Sequence, residues 1–198
     1  MYCTDRSVHS FLTGDSPMPR IQPIDHATDT PAAVAHLDIA RKMFGGTPNL
    51  VTTAAHSPAA LGAMLSLFAN VGKSSLGAKT GELIAVAVAQ SNGCAYCLAA
   101  HTAIGGSIGL PAAALADARR ATSPEPRTAA LLQLAVAINQ SRGRISDDTL
   151  AGARSAGITD AEVIEVIAHV SLNIFTNYVS IVAGTTVDFP EVPFAAAA

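Results

Sequence analysis

The chain has 198 residues, 49% of them hydrophobic and only 14% charged, with a formal net charge of −3 and a pI near 6.0. That length supports one domain with a sizeable core. The absence of any Lys/Arg block argues against nucleic acid as a partner, and so sparse a set of charges points to self-association.

Residues 1–17 read as a polar, flexible leader. They lack the apolar core of a secretory signal and a twin arginine, and no apolar run reaches the length of a membrane span. A cytoplasmic protein without a membrane partner is the expectation. From Met18 to residue 198 the pattern is that of a single domain.

The punctuation after Met18 is helical. Thr30 and Pro31 supply an N-cap and a first-turn proline for "AAVAHLDIARKMF", which runs to Gly45-Gly46. Ser57 and Pro58 repeat the device before "AALGAMLSLFANV", which stops at Gly72. Ser74 or Ser75 is expected to cap a helix over about 77–91, broken by Gly93. A helix from Cys94 to about Ile104 follows, ended by Gly105-Gly106. Pro111 starts a short helix. Ser123 and Pro124 open a longer one, on which Leu131, Leu134, Ala135 and Ile138 share a face. Ser146 begins another short helix, ending at Gly157. Thr159 and Glu162 form a capping box for "AEVIEVIAHVSLNIFTNYVSIVAG", and the tail "TTVDFPEVPFAAAA" is extended. No segment alternates with period 2, so the fold class is all-α.

A degenerate internal repeat is also expected. "ELIAVAVAQ" at 82–90 aligns with "EVIEVIAHV" at 162–170, which sets Cys94 against Ile174 and Cys97 against Asn177. Chance similarity between two apolar helices is the alternative.

The chemistry concentrates in "SNGCAYCLAAH", residues 91–101. Cys94, Cys97 and His101 fall at i, i+3 and i+7, on one face of a helix. Glu82 lies on the preceding helix, and the Asn92-Gly93 turn lets it face the cysteines. A free thiol with a pKa of about 8.5 is mostly protonated at neutral pH, and the thiolate is the reactive form. Helix N-terminal amides favour the anion, an imidazole can take the proton, and a carboxylate can hold the imidazole. Two thiols one turn apart can close a disulfide. Three readings stand open: a Glu/His-assisted dithiol, two core cysteines beside a core histidine, and a zinc site of two thiolates, an imidazole and a carboxylate. Cys3, in the leader, is incidental.

The pattern Glu-x11-Cys-x2-Cys-x3-His, here Glu82, Cys94, Cys97 and His101, resembles the AhpD-like alkylhydroperoxidases of the carboxymuconolactone decarboxylase superfamily. "HSPAALGAM" before it and "NIFTNY" and "VDFP" after it resemble the peroxidase-related branch. The resemblance implies an AhpD-like helical bundle, a homo-oligomer (a trimer or a hexamer) and hydroperoxide reduction. It implies Cys97 as the peroxidatic sulfur, Cys94 as proton donor and resolving thiol, and Glu82 with His101 as the proton relay. The residues alone favour Cys94 as nucleophile, since it lies nearer the helix N-terminus. Tyr96 stands where a histidine can occur in the family; packing against a neighbouring helix is its expected role.

Three functions follow. The first is a hydroperoxide reductase that needs an external thiol or dithiol reductant, because no cofactor motif such as GxGxxG after a strand occurs. The second is a decarboxylase or lactone-processing enzyme on the same scaffold, although true lactone decarboxylases of the superfamily lack this cysteine pair. The third is a non-enzymatic zinc- or redox-sensing oligomer. His169, Asn173 and Asn177 form a polar stripe on the last helix, expected to satisfy itself in the core or at an interface. His56 is expected to serve the start of its helix, and His26 and His36 show no evident partners.

Overall fold

The computed structural model describes residues 18–24 and 30–196, and every regular element among the described residues is helical. The expected leader over 1–17, with Cys3, and His26 lie outside the described residues. In chain order the helices are α1 (Pro31–Phe44), α2 (Asn49–Ala54), α3 (Pro58–Val71), α4 (Gly77–Asn92), α5 (Ala95–Ser107), α6 (Ala112–Ala118), α7 (Pro126–Ser141), α8 (Asp147–Ser155) and α9 (Asp160–Ala183).

Local chemistry sets most of these boundaries. Thr30 and Ser57 accept hydrogen bonds from Ala33 N and Ala60 N, and a proline follows each cap. Thr159 and Glu162 close the capping box at the start of α9. The core is built around α4, which packs against α5, α6, α7 and α9. An unbroken buried run from Leu83 to Ala89 leaves α4 apolar on every side, as a central helix requires. Met64, Leu98, Leu131, Leu134, Val166 and Val170 close around it. Fully burying each of the larger side chains contributes roughly 1.5–3 kcal/mol.

Several expectations need correction, each for a physical reason. Helix α2 was not expected. No side chain of its own caps it; Asn49 N donates instead to Asp188 Oδ2 at 2.7 Å, from the far end of the chain. Ser74 and Ser75 do not cap α4. Ser75 donates through N and Oγ to Glu165 on α9, and Ser74 Oγ meets His169 Nε2 at 3.0 Å. Gly105-Gly106 does not end α5: a Cβ on Gly105 would come within 2.8 Å of Leu115 Cδ2, so that glycine serves close packing of α5 on α6. The cap of α7 is Glu125, with Pro126 first in the helix. The aligned halves of the repeat also part company. Gly93 stops α4, whereas its counterpart Asn173 continues within α9. Glu82 pairs with His101, whereas Glu162 caps its own helix.

Contrary to the expectation that no apolar run reaches the length of a membrane span, helix α9 has an 18-residue window of mean hydropathy 1.5, long and apolar enough by composition to cross one. Half of that window is buried in the bundle against the neighbouring helices. The tail is extended, as expected, and acts as a strap. Gln90 exchanges hydrogen bonds with Ala195 in both directions, Asn49 Nδ2 donates to Thr186 O, and Arg119 donates to Pro193 O. At the other end Arg20 N and Ile21 N donate to Ala183 O.

The α4–α5 turn requires a left-handed residue, because Gly93 adopts φ +67°. Gly93→Ala is expected to lower stability by about 1 kcal/mol, the cost of a left-handed residue with a Cβ. Urea denaturation at constant m-value measures it; an unchanged midpoint would contradict the role given to the turn.

Candidate functional site

The Gly93 turn performs two tasks. Cys94 N donates to Ala89 O at 3.0 Å and Gly93 N to Gln90 O at 3.2 Å, which together satisfy the last carbonyls of α4. Cys94 then leaves the turn in an extended conformation (φ −90°, ψ 95°) and becomes the N-cap of α5. Its Sγ accepts from Cys97 N at 3.3 Å, where a serine or aspartate oxygen ordinarily sits. Helix α5 runs back along α4, so His101 Nδ1 meets Glu82 Oε2 at 2.8 Å. The structure therefore brings all four expected residues into one cluster. Both cysteines are free and buried, 1% and 2% exposed, while the His101 and Glu82 side chains are 13% and 20% exposed.

The charge of the thiol pair is unevenly held. The Cys97 thiol, hydrogen-bonded to Cys94, holds the Cys94 thiol below its ordinary value; burial opposes this, and Cys97 N–H and His101 assist. Cys97 is pushed well above its ordinary value, first by that same hydrogen bond, then by burial and by the charge on Cys94, while Ser180 and Asn177 pull it down. Of the two sulfurs, ionisation therefore favours Cys94, as its place at the helix N-terminus implies. Burial pushes the His101 imidazole down, but the charge and hydrogen bond of Glu82, with Cys94, outweigh it, and the net shift is upward.

The two sulfurs border different spaces. Cys97 and His101 line an apolar cavity of about 70 Å³, walled by Phe44, Phe68, Tyr96 and Phe189. Cys94 borders a separate depression formed with Ser180, Thr185 and Val187. A third hollow lies across the His101–Glu82 pair, against Gly81 and His169. Tyr96 packs, as expected: its ring meets Phe189 edge-on at 5.8 Å, and its hydroxyl accepts from Leu50 N at 3.2 Å. Burial drives that phenol upward, away from ionisation.

The α9 stripe is satisfied in the core up to a point. His169 Nε2 meets Ser74, and Asn173 Nδ2 donates to His169 O at 2.9 Å. Asn177 Oδ1 accepts from Asn92 Nδ2 at 2.9 Å. Two neighbours of the dithiol went unpredicted. Ser180 Oγ lies 3.9 Å from Cys97 Sγ, and Asn92 was read only as a turn residue. Ser180 continues the 169–173–177 stripe by one more turn, which is the signal that marks it. His56 Nε2 contacts Gln22 O at 2.8 Å beside the start of α3, as expected. His36, expected to be without partners, contacts Ala32 O at 2.8 Å through Nδ1 and lies against Gly62. Among the described residues no three His, Cys, Asp or Glu side chains are grouped to hold a metal ion, so the zinc reading gains no ligand set.

Residues 58–125 match the sequence model of the carboxymuconolactone decarboxylase family, a span that contains Glu82, Cys94, Cys97 and His101. The chain is AhpD-like in fold. A peroxidase-related protein from Silicibacter sp. TM1040 superposes with a TM-score of 0.73 at 21% identity, over 89% of this chain and 95% of that one. A peroxidase-related protein with an alkylhydroperoxidase AhpD core, from Ralstonia eutropha JMP134, gives 0.74 at 22% identity, over 87% and 93%. A variant of the debrominase Bmp8 in complex with 2,3,4-tribromopyrrole gives 0.74 at 18% identity, over 88% and 94%. No curated protein sequence matches the chain.

The raised His101 pKa has a consequence for stability against pH. Protonated His101 stabilises the fold fully below its ordinary value of 6.5, and this contribution fades as pH rises through the raised folded value. In Glu82→Gln burial dominates and the contribution is lost. The stability gap between wild type and Glu82→Gln is therefore expected to be wider at pH 6 than at pH 9. Urea midpoints at both values check it; a gap that widens with pH would refute the assignment.

Proposed function

We propose that the protein is a thiol-dependent hydroperoxide reductase whose CxxC dithiol is assisted by Glu82 and His101. The observation that carries the reading is a buried thiol pair at the start of α5, set against a Glu–His pair at the wall of an apolar cavity. Cys97 is the peroxidatic sulfur, because it and His101 share that cavity. Cys94 passes its charge inward: it takes the Cys97 proton as the Cys97 sulfur attacks the O–O bond. Cys97 becomes a sulfenic acid, and the departing alkoxide takes a proton from protonated His101, the form that Glu82 favours. Cys94, deprotonated again by His101, then attacks the sulfenic sulfur. A Cys94–Cys97 disulfide forms and hydroxide leaves with that proton as water.

An external thiol or dithiol returns the pair to its reduced form, in a reducing compartment such as the cytoplasm. The chain works as a homo-oligomer, a trimer or hexamer, through faces such as the exposed Ile164, Tyr178 and Val182 of α9.

The aromatic wall of the cavity favours one second reading, removal of a halogen from a flat apolar ring. There the Cys97 sulfur takes bromine as the ring carbon takes a proton, and Cys94 displaces bromide to give the same disulfide. Bromide release from a bromopyrrole under reductant distinguishes it from peroxide reduction. A lactone-processing or decarboxylating enzyme would keep its activity without either cysteine, and a redox-sensing oligomer would form the disulfide without turnover.

The test is thiol titration and intact mass after one equivalent of an organic hydroperoxide. Wild type is expected to lose the Cys94 and Cys97 thiols and the mass of two hydrogens. Cys94→Ser is expected to hold an oxidised Cys97, and Cys97→Ser to be inert. If all three ignore the peroxide, the reductase reading falls.

A further inference from the structure

The dithiol chemistry above leaves one buried group unused. Asn177 is completely buried, and its Oδ1 is taken by Asn92 Nδ2 at 2.9 Å. Asn92 Oδ1 in turn accepts from Asn139 Nδ2 at 2.7 Å, and Asn139 Nδ2 also reaches Ser91 Oγ at 3.2 Å. Three amides, from α7, α4 and α9, thus form a directed chain that ends at Asn177 Nδ2. That last donor has no hydrogen-bond partner. A buried amide N–H with nothing to donate to is costly, and such groups are rare in folded proteins.

Its surroundings supply a reason. Ser180, one turn along the same face of α9, places Oγ 3.9 Å from Cys97 Sγ, so this face lies against the sulfur. Asn177 also pulls the Cys97 thiol toward ionisation. A neutral thiol is a weak acceptor, whereas an anionic sulfur is a strong one. The backbone N–H of Cys97 is already engaged by Cys94, so charge on the Cys97 sulfur needs donors from another helix.

We infer that Asn177 is a catalytic residue whose Nδ2 donates to the Cys97 sulfur when that sulfur turns anionic, with Asn92 and Asn139 as positioning residues that hold the amide in its donating orientation. The donor idles in the resting dithiol and engages as Cys94 takes the proton. The inference rests on the proposed function only in making Cys97 the sulfur that becomes charged during turnover.

The test uses the full-length protein in a Cys94→Ser background, where the introduced hydroxyl can still cap α5 and the Cys97 thiol titrates alone. Alkylation of Cys97 by iodoacetamide is followed by mass spectrometry across pH. Adding Asn177→Leu is expected to shift the profile upward by about one unit, slowing alkylation at pH 7 about tenfold, the loss of one charge-assisted hydrogen bond. Adding Asn92→Ala, which keeps Asn177 but frees its amide, is expected to shift the profile in the same direction by a smaller amount. Asn173→Leu, an equally buried change one turn away, is expected to leave it in place. An unchanged profile in Asn92→Ala, or an equal shift in Asn173→Leu, overturns the inference. If Asn177→Leu does not fold, Asn92→Ala and Asn173→Leu decide alone. Alkylation involves no peroxide, so a protein inert to hydroperoxide that still shows the shift would fail the proposed function and keep this inference.

Discussion

The site hangs on a single left-handed residue. Gly93 lets the chain close α4 and begin α5 within one step, so that Cys94 both ends one helix and caps the next. A longer loop would separate those roles. The sulfur would then lose the N–H of Cys97, and α5 would no longer return in register with α4. The register matters because Glu82 and His101 must meet at 2.8 Å across the two helices. Turn, cap and ion pair are therefore one constraint expressed three times.

Within that constraint the protein separates holding charge from delivering it. Two thiols this close cannot both ionise, and burial penalises each. Ionisation favours Cys94, first through the hydrogen bond of the Cys97 thiol and then through the N–H of the first turn of α5, and Cys97, pushed well above its ordinary value, lines the apolar cavity. Cys97 thus faces an apolar space, while Cys94 borders a separate depression. The histidine stands between, bordering the cavity on one side and a second hollow on the other.

Much of this was legible in the chain. Proline after serine or threonine marked α1 and α3, and Thr159 with Glu162 marked α9, because those signals act over three residues. The four-residue cluster was legible for the same reason: a helix, a one-residue turn and a second helix fix the geometry locally. What escaped was long-range. Helix α2 takes its cap from Asp188, and Glu165 accepts from Ser75 N just ahead of α4, contacts that only tertiary folding brings about. Ser74 and Ser75 had the chemistry of caps and were recruited elsewhere. Gly105 had the look of a helix stop but served as a seat for Leu115. The amide of Asn92 was hidden by its own position in a turn, where an asparagine needs no further explanation.

The strap formed by the last residues also orders events in time. Asp188 caps α2, Phe189 walls the cavity beside Tyr96, and Ala195 ties back to Gln90 on the central helix. None of these contacts can form until residues 188–195 have left the ribosome. The dithiol precedes the strap in the chain, so until those residues emerge the cavity beside Cys97 lacks the wall that Phe189 supplies.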